Sequence, residues 1–188
     1  MKSMTKRLLA ALLAVAALFA LAGCSKSDKA DAAPKDYTKI LHDARPDEDN
    51  EYYMIFSPGE DGKFTAQYGY SDSYDAAQLD EEIRNMLLPL LNLEEDMYTD
   101  FAASVSGMMV QSYGIAIVKP AEGKADAVKQ ALQDFVTHGQ MSMEHYLEDQ
   151  YQIAKAAKVE VLPSGEVVLV CCENSDAVLS AIKTALAA

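Results

Sequence analysis

In the second half of the chain, apolar side chains recur in two rhythms. Tyr98 to Ser106 places Phe101, Ala103 and Val105 at a spacing of two, and Gln111 to Lys119 repeats this with Tyr113, Ile115 and Ile117. A spacing of two is the pleat of a strand, and the short link between the runs predicts an antiparallel pair. Pro120 and Gly123 break the pattern, and Val128, Leu132, Phe135 and Val136 then mark one face of a helix. Met143, Tyr146, Leu147, Tyr151 and Ala154 continue that face to about Ala157, with Gly139 as a kink point. Val159 to Leu162 and Val167 to Cys172 flank Pro163-Ser164-Gly165, which predicts a second hairpin. Asn174 or Ser175 caps a last helix that turns Val178, Leu179, Ile182 and Leu186 inward.

The first half is less regular. Asp36 or Thr38 caps a short helix with Tyr37, Ile40, Leu41 and Ala44 on its apolar side, stopped by Pro46. Residues 47–51, DEDNE, read as a hydrophilic turn, and EYYMIFS (51–57) and KFTAQYGY (63–70) as an aromatic-rich hairpin around Pro58-Gly59-Glu60-Asp61-Gly62. Ile83, Met86, Leu87, Leu90 and Leu91 give a helix over 79–91 that Pro89 should end early. The order from residue 79 is helix, two strands, helix, two strands, helix. This predicts an α+β two-layer sandwich, a mainly antiparallel four-stranded sheet with helices over one face. VVLVCC (167–172) is apolar at every position and is expected as a central strand. No repeat of solenoid type is present.

The amino terminus changes the picture. Lys2, Lys6 and Arg7 precede fifteen residues, Leu8 to Ala22, without a polar side chain. A basic head and an apolar run too short for a permanent span make a secretory signal peptide. Leu21, Ala22 and Gly23 stand before Cys24 as in a bacterial lipobox, where small residues admit the strand to a peptidase and the thiol takes up diacylglyceryl. The alternatives are a plain signal peptide with a chance Cys at its end, and an uncleaved anchor helix. The expected organisation is therefore a leader (1–23), a lipidated Cys24 with a flexible tether (24–35), and one globular domain (36–188). The expected location is the extracytoplasmic face of a cell membrane, with palmitate-type acyl chains on Cys24 as the membrane contact.

Charge then narrows the partners. Removing Lys2, Lys6 and Arg7 from the chain's 16 Lys and Arg leaves 13 against 29 Asp and Glu, a net charge of −16 for residues 24–188. Nucleic acid is excluded as a natural ligand, and an anionic lipid surface would repel such a domain. Beyond Cys24 there remain Cys171 and Cys172, neighbours that a strand would send to opposite faces. Buried structural thiols are expected rather than a redox pair.

The stretch SVSGMMVQSYGIAIVKP (104–120), and the later YLEDQY (146–151) followed by a Gly-turned apolar hairpin, are similar to clostridial lipoproteins carrying domain of unknown function 4358. The resemblance spans roughly Asp80 to Leu186; the leader and ARPDEDNE (44–51) resemble the same proteins less specifically. It implies a cell-surface lipoprotein of a Gram-positive, gut-type bacterium. It implies no established activity and carries no site residues across.

Candidate chemistry is sparse. His138 and His145 lie seven apart on the expected helix, two turns rather than the four residues a zinc pair on one helix uses. The run Asp47-Glu48-Asp49-Asn50-Glu51 offers oxygens to calcium, yet Tyr52 stands where an EF-hand loop needs Gly. No metal and no cofactor are expected. Neither G-x-S-x-G, nor S-x-x-K, nor a Cys with a partnering His occurs in usable form. Tyr52, Tyr53, Tyr68 and Tyr70, with Phe56, Phe64 and Tyr74, crowd among acids, and such rings stack sugars or hold cationic peptide groups; alternating aromatics on a hairpin equally serve to cover a sheet. The four tyrosines are the binding candidates. A non-catalytic binding or accessory module for a peptide, glycan or protein at the cell surface is expected. The alternative is a small enzyme acting on cell wall or extracellular polymer through carboxylates.

Overall fold

The alternating runs of the second half do form strands, and the sheet they build is larger than four. In the computed structural model, residues 34–188 are described. The expected leader, Leu21, Ala22, Gly23, the acylated Cys24 and all but the last residues of the tether lie outside the described residues. Strands β1 (Ile55–Pro58), β2 (Phe64–Gln67), β3 (Tyr98–Val105), β4 (Gly114–Pro120), β5 (Lys158–Val161) and β6 (Val167–Cys171) make one antiparallel sheet in the order β2-β1-β3-β4-β6-β5. The fold is α+β. The early hairpin joins the sheet by pairing Phe56 with Ala103, which adds the two strands beyond the expected four.

Helices cover both faces, α1 (Tyr37–Ala44) and α6 (Ser175–Ala187) on one, and α3 (residues 76–90), α4 (Ala125–Met143) and α5 (Glu148–Ala156) on the other. Helix α3 begins at Ala76–Glu82, widens through a π turn at Ile83–Leu87 and closes at Leu88–Leu90. The second helical layer goes beyond the expected single one. Its cause is visible in β6, where alternate side chains must bury on opposite sides. Val167, Leu169 and Cys171 pack with α3 and α4, while Val168, Val170 and Cys172 pack with α1 and α6.

Three local expectations are corrected. Residues 47–52 form a short helix, α2 (Asp47–Tyr52), with Asp47, Glu48 and Asp49 in its first turn, where backbone N–H groups favour acids. Pro89 does not end α3 early. Without an N–H for the Asn85 carbonyl, the turn widens instead, and Leu88 N–H reaches back five residues to Ile83 O. The long helix does not run to Ala157: it stops at Met143, and α5 restarts at Glu148. His138 and His145 therefore do not share a helix.

The strand register defines two ends of the sheet. Gly114 opposite Cys171, and Val105 opposite Gly114, mark the end carrying the β3–β4 loop. Tyr98 opposite Pro120, and Val118 opposite Val167, mark the other. At that second end Lys35 donates to Leu186 O at 2.6 Å and pairs with Glu166 at 3.3 Å. Helix α1, capped by the Asp36 side chain on Lys39 N–H at 2.9 Å, then carries the chain across the sheet to Arg45 at the loop end.

Candidate functional site

Arg45 organises the loop end. It leaves α1 in extended geometry and is 5% exposed. Its Nε donates to Asn50 Oδ1 at 2.6 Å, Nη1 to Ser104 Oγ at 2.7 Å and to Tyr113 OH at 3.1 Å, and Nη2 to Tyr53 O at 2.6 Å. A buried guanidinium is tolerable only when its donors are met, and here all three nitrogens are engaged. The result ties α2, the entry to β1, and the ends of β3 and β4 together. Asn50 Nδ2 closes the ring by donating to His42 O at 3.0 Å. Burial raises the Asp49 carboxyl above the ordinary range, opposed by the Arg45 charge and the Tyr113 hydroxyl. Burial likewise raises the Tyr113 hydroxyl, again opposed by Arg45.

The four tyrosines singled out from the sequence gather at this end, but not on a hairpin. Tyr52 closes α2, Tyr53 precedes β1, Tyr68 follows β2 and Tyr70 lies in a 3-10 turn, Gly69–Ser73. They divide into two pairs. Tyr53 stacks on Tyr113 with centroids 3.9 Å apart, and Tyr68 lies 4.2 Å from His42; both pack against the α1/α6 core. Tyr52 and Tyr70 meet edge-on at 6.4 Å and are 51% and 57% exposed. The turn that brings Tyr70 to Tyr52 depends on Gly69, at φ +52°, where a Cβ would stand 2.6 Å from Met54 N.

A second element was missed in the sequence. The β3–β4 link, residues 106–113, is longer than a tight hairpin and lifts Met108, Met109 and Val110 into solvent, Met109 being 90% exposed. Ser106 holds the loop's base, accepting from Met108 N–H at 3.1 Å and donating to Gln111 Oε1 at 2.9 Å. Tyr53 OH donates to the same Gln111 oxygen at 3.0 Å, which joins the loop to the tyrosine segment. On its other side, Ser112 N–H donates to Gln150 Oε1 at 2.9 Å, bringing in the turn with exposed Tyr146. Three consecutive apolar residues between strands were the available signal for this surface; they were passed over as a short link between Ser106 and Gln111.

The nucleophile candidates are otherwise engaged. Ser104 is fully buried under Arg45. Cys171 and Cys172 face opposite cores, and burial pushes both thiols up to about 12, with Asp49, Cys171 and Glu173 adding to the Cys172 shift. His138 and His145 are exposed, and no three His, Cys, Asp or Glu among the described residues are placed to hold a metal ion. An open depression lies between α5 and the start of α6 and is lined by Gln152, Ile153, Cys172, Glu173 and Asn174.

Residues 71–173 match the model of a family described as Domain of unknown function (DUF4358). No curated protein and no solved structure matches. Met108, Met109, Val110, Tyr113 and Tyr146 lie within the matched stretch, whereas Arg45, Tyr52, Tyr53, Tyr68 and Tyr70 precede it.

Proposed function

This chain belongs to the DUF4358 family, and from that premise we propose that it is a lipid-anchored, extracytoplasmic, non-catalytic module that binds a partner at the cell surface. One relationship carries the reading. Lys35, where the folded unit begins, and the exposed Tyr52, Tyr70 and Met108–Val110 surface stand at opposite ends of the sheet.

The eight residues of β3 separate those ends by roughly 25 Å at strand rise. A diacylglyceryl group on Cys24, joined through the ten residues 25–34, attaches at the Lys35 end. The loop end is then the end of the sheet farther from the attachment point. Large apolar side chains clustered in water are costly for a monomer and are the usual mark of a recognition surface. Support for a non-catalytic role comes from the site itself, where the buried Ser104 and both Cys are held in packing.

The experiment is metabolic labelling with a fatty-acid probe. Cys24→Ala should abolish the label and alter processing of the precursor. Undiminished label in the variant sinks the anchored reading.

A further inference from the structure

The loop end combines two properties that together specify a partner. Its apolar tip, Met108, Met109 and Val110, connects through Gln111 and Tyr53 to the exposed Tyr52–Tyr70 pair. Around it, segments 47–53, 69–75, 106–113 and 144–151 hold nine Asp and Glu and no Lys or Arg. Three contacts make these four segments neighbours: Tyr52 with Tyr70, Tyr53 with Gln111, and Ser112 with Gln150. The other end is mixed, with Lys35 bonded to Glu166 and Lys124 to Asp96.

We propose that the loop end docks a basic amphipathic protein segment, Lys- or Arg-rich with apolar side chains between the charges. The proposal rests on the binding-module reading and names its partner class. Arg45 offsets Asp49, but the four segments carry no Lys or Arg of their own, and their acids attract a cationic segment and orient it during encounter. Methionines supply a pliable apolar seat without demanding one side-chain shape. The same features disfavour the other occupants. A second copy of this chain would bring its own nine acids against these. An anionic bilayer would be repelled. A glycan would stack on Tyr52 and Tyr70 but leave the apolar Met108, Met109 and Val110 unused.

The test uses the full chain in non-ionic detergent, applied to beads carrying four synthetic twelve-residue peptides: Lys/Leu, Lys/Ser, Glu/Leu and Ser/Leu. A fifth resin carries chitin oligosaccharide. Retention is measured at low and at 0.5 M salt. The Lys/Leu beads should retain the chain at least fivefold better than any other, and high salt should remove most of that excess. Met108→Ser with Met109→Ser should cut it at least fivefold, as should Glu48→Gln with Glu51→Gln. Glu60→Gln with Glu122→Gln, remote from the loop end, should leave it unchanged. Equal retention by Lys/Ser, or equal loss with the remote acid pair, reduces the effect to bulk charge and overturns the proposal. Retention by Glu/Leu or Ser/Leu overturns it as general stickiness. Retention on the glycan resin alone would keep the binding module and overturn this partner, while undiminished label in Cys24→Ala would sink the anchored reading without touching the peptide result.

Discussion

Tyr53 lies flat on Tyr113, ring centroids 3.9 Å apart and 13° from parallel, while its neighbour Tyr52 turns outward to meet Tyr70 edge-on. Two adjacent tyrosines thus have opposite work, one holding the loop end together and one facing solvent.

Truncating them should separate these roles. Tyr53→Ala removes the stack and the bond to Gln111 and should cost about 2–3 kcal/mol. Tyr52→Ala and Tyr70→Ala should stay within about 0.5 kcal/mol of the parent, since each ring is more than half exposed. Chemical denaturation of the three variants checks this. Equal damage at all three would make the outer pair part of the core and remove it from the binding surface.

Arg45 is the polar counterpart of that stack. Arg45→Met keeps the length of the side chain but leaves Ser104 Oγ, Tyr113 OH and Tyr53 O without their donor. The expected loss is roughly 3 kcal/mol, the scale of stranding buried groups that a charge had satisfied. Arg45→Lys should recover only a minor part, because one ammonium cannot reproduce the planar fork. A parental midpoint for Arg45→Met in urea would show that water replaces the guanidinium at no cost.

Much of this fold is legible in the sequence, and the exceptions have physical reasons. The β3, β4, β6 and α6 segments announce themselves because each buries a regular set of positions, and periodicity reports burial. VVLVCC also implied cover on both faces, yet α1 lies before the helix-and-strand order that begins at residue 79, and nothing local tied its apolar side to the second face of that sheet. The π turn was hidden because Pro89 signals a stop by the same chemistry that here widens a turn. Arg45 was out of reach: nothing local distinguishes a buried arginine from a surface one, since its partners Ser104 and Tyr113 are 59 and 68 residues away. The tyrosines were visible as a cluster, but a period-two reading could not show that α2 replaces the first strand's beginning and so splits them into packed and exposed pairs.

Val168 tests the two-faced sheet. It is fully buried, paired with Ile117 on β4 and Glu160 on β5, under α1 and α6. Val168→Asp puts a carboxylate there, and the nearby Lys183 already holds Glu160 at 2.5 Å. The cost should be about 4 kcal/mol or more, a large share of the stability of a domain this size. Unfolding near the parental midpoint would mean that β6 is not covered on the α1/α6 side.

Glu166 contributes to the acid limb of stability. It is 5% exposed, and its Oε1 accepts from Tyr37 OH at 3.2 Å and from Lys35 Nζ at 3.3 Å. Burial alone would raise this carboxyl, but the Ser164 side chain, its own backbone N–H and the Lys35 ammonium outweigh burial and hold it below the ordinary range. A carboxyl depressed in the folded state binds fewer protons there than in the unfolded chain. Its contribution is therefore present above the unfolded value of about 4.3 and is lost as pH falls through the folded value. Glu166→Gln keeps the shape and removes the charge, so it should cost about 2 kcal/mol at pH 7. The gap between parent and variant should close as pH drops below 4. Urea unfolding of both proteins from pH 7 to pH 3 measures it, and a gap that stays constant across that range would mean that Glu166 acts by packing rather than by its charge.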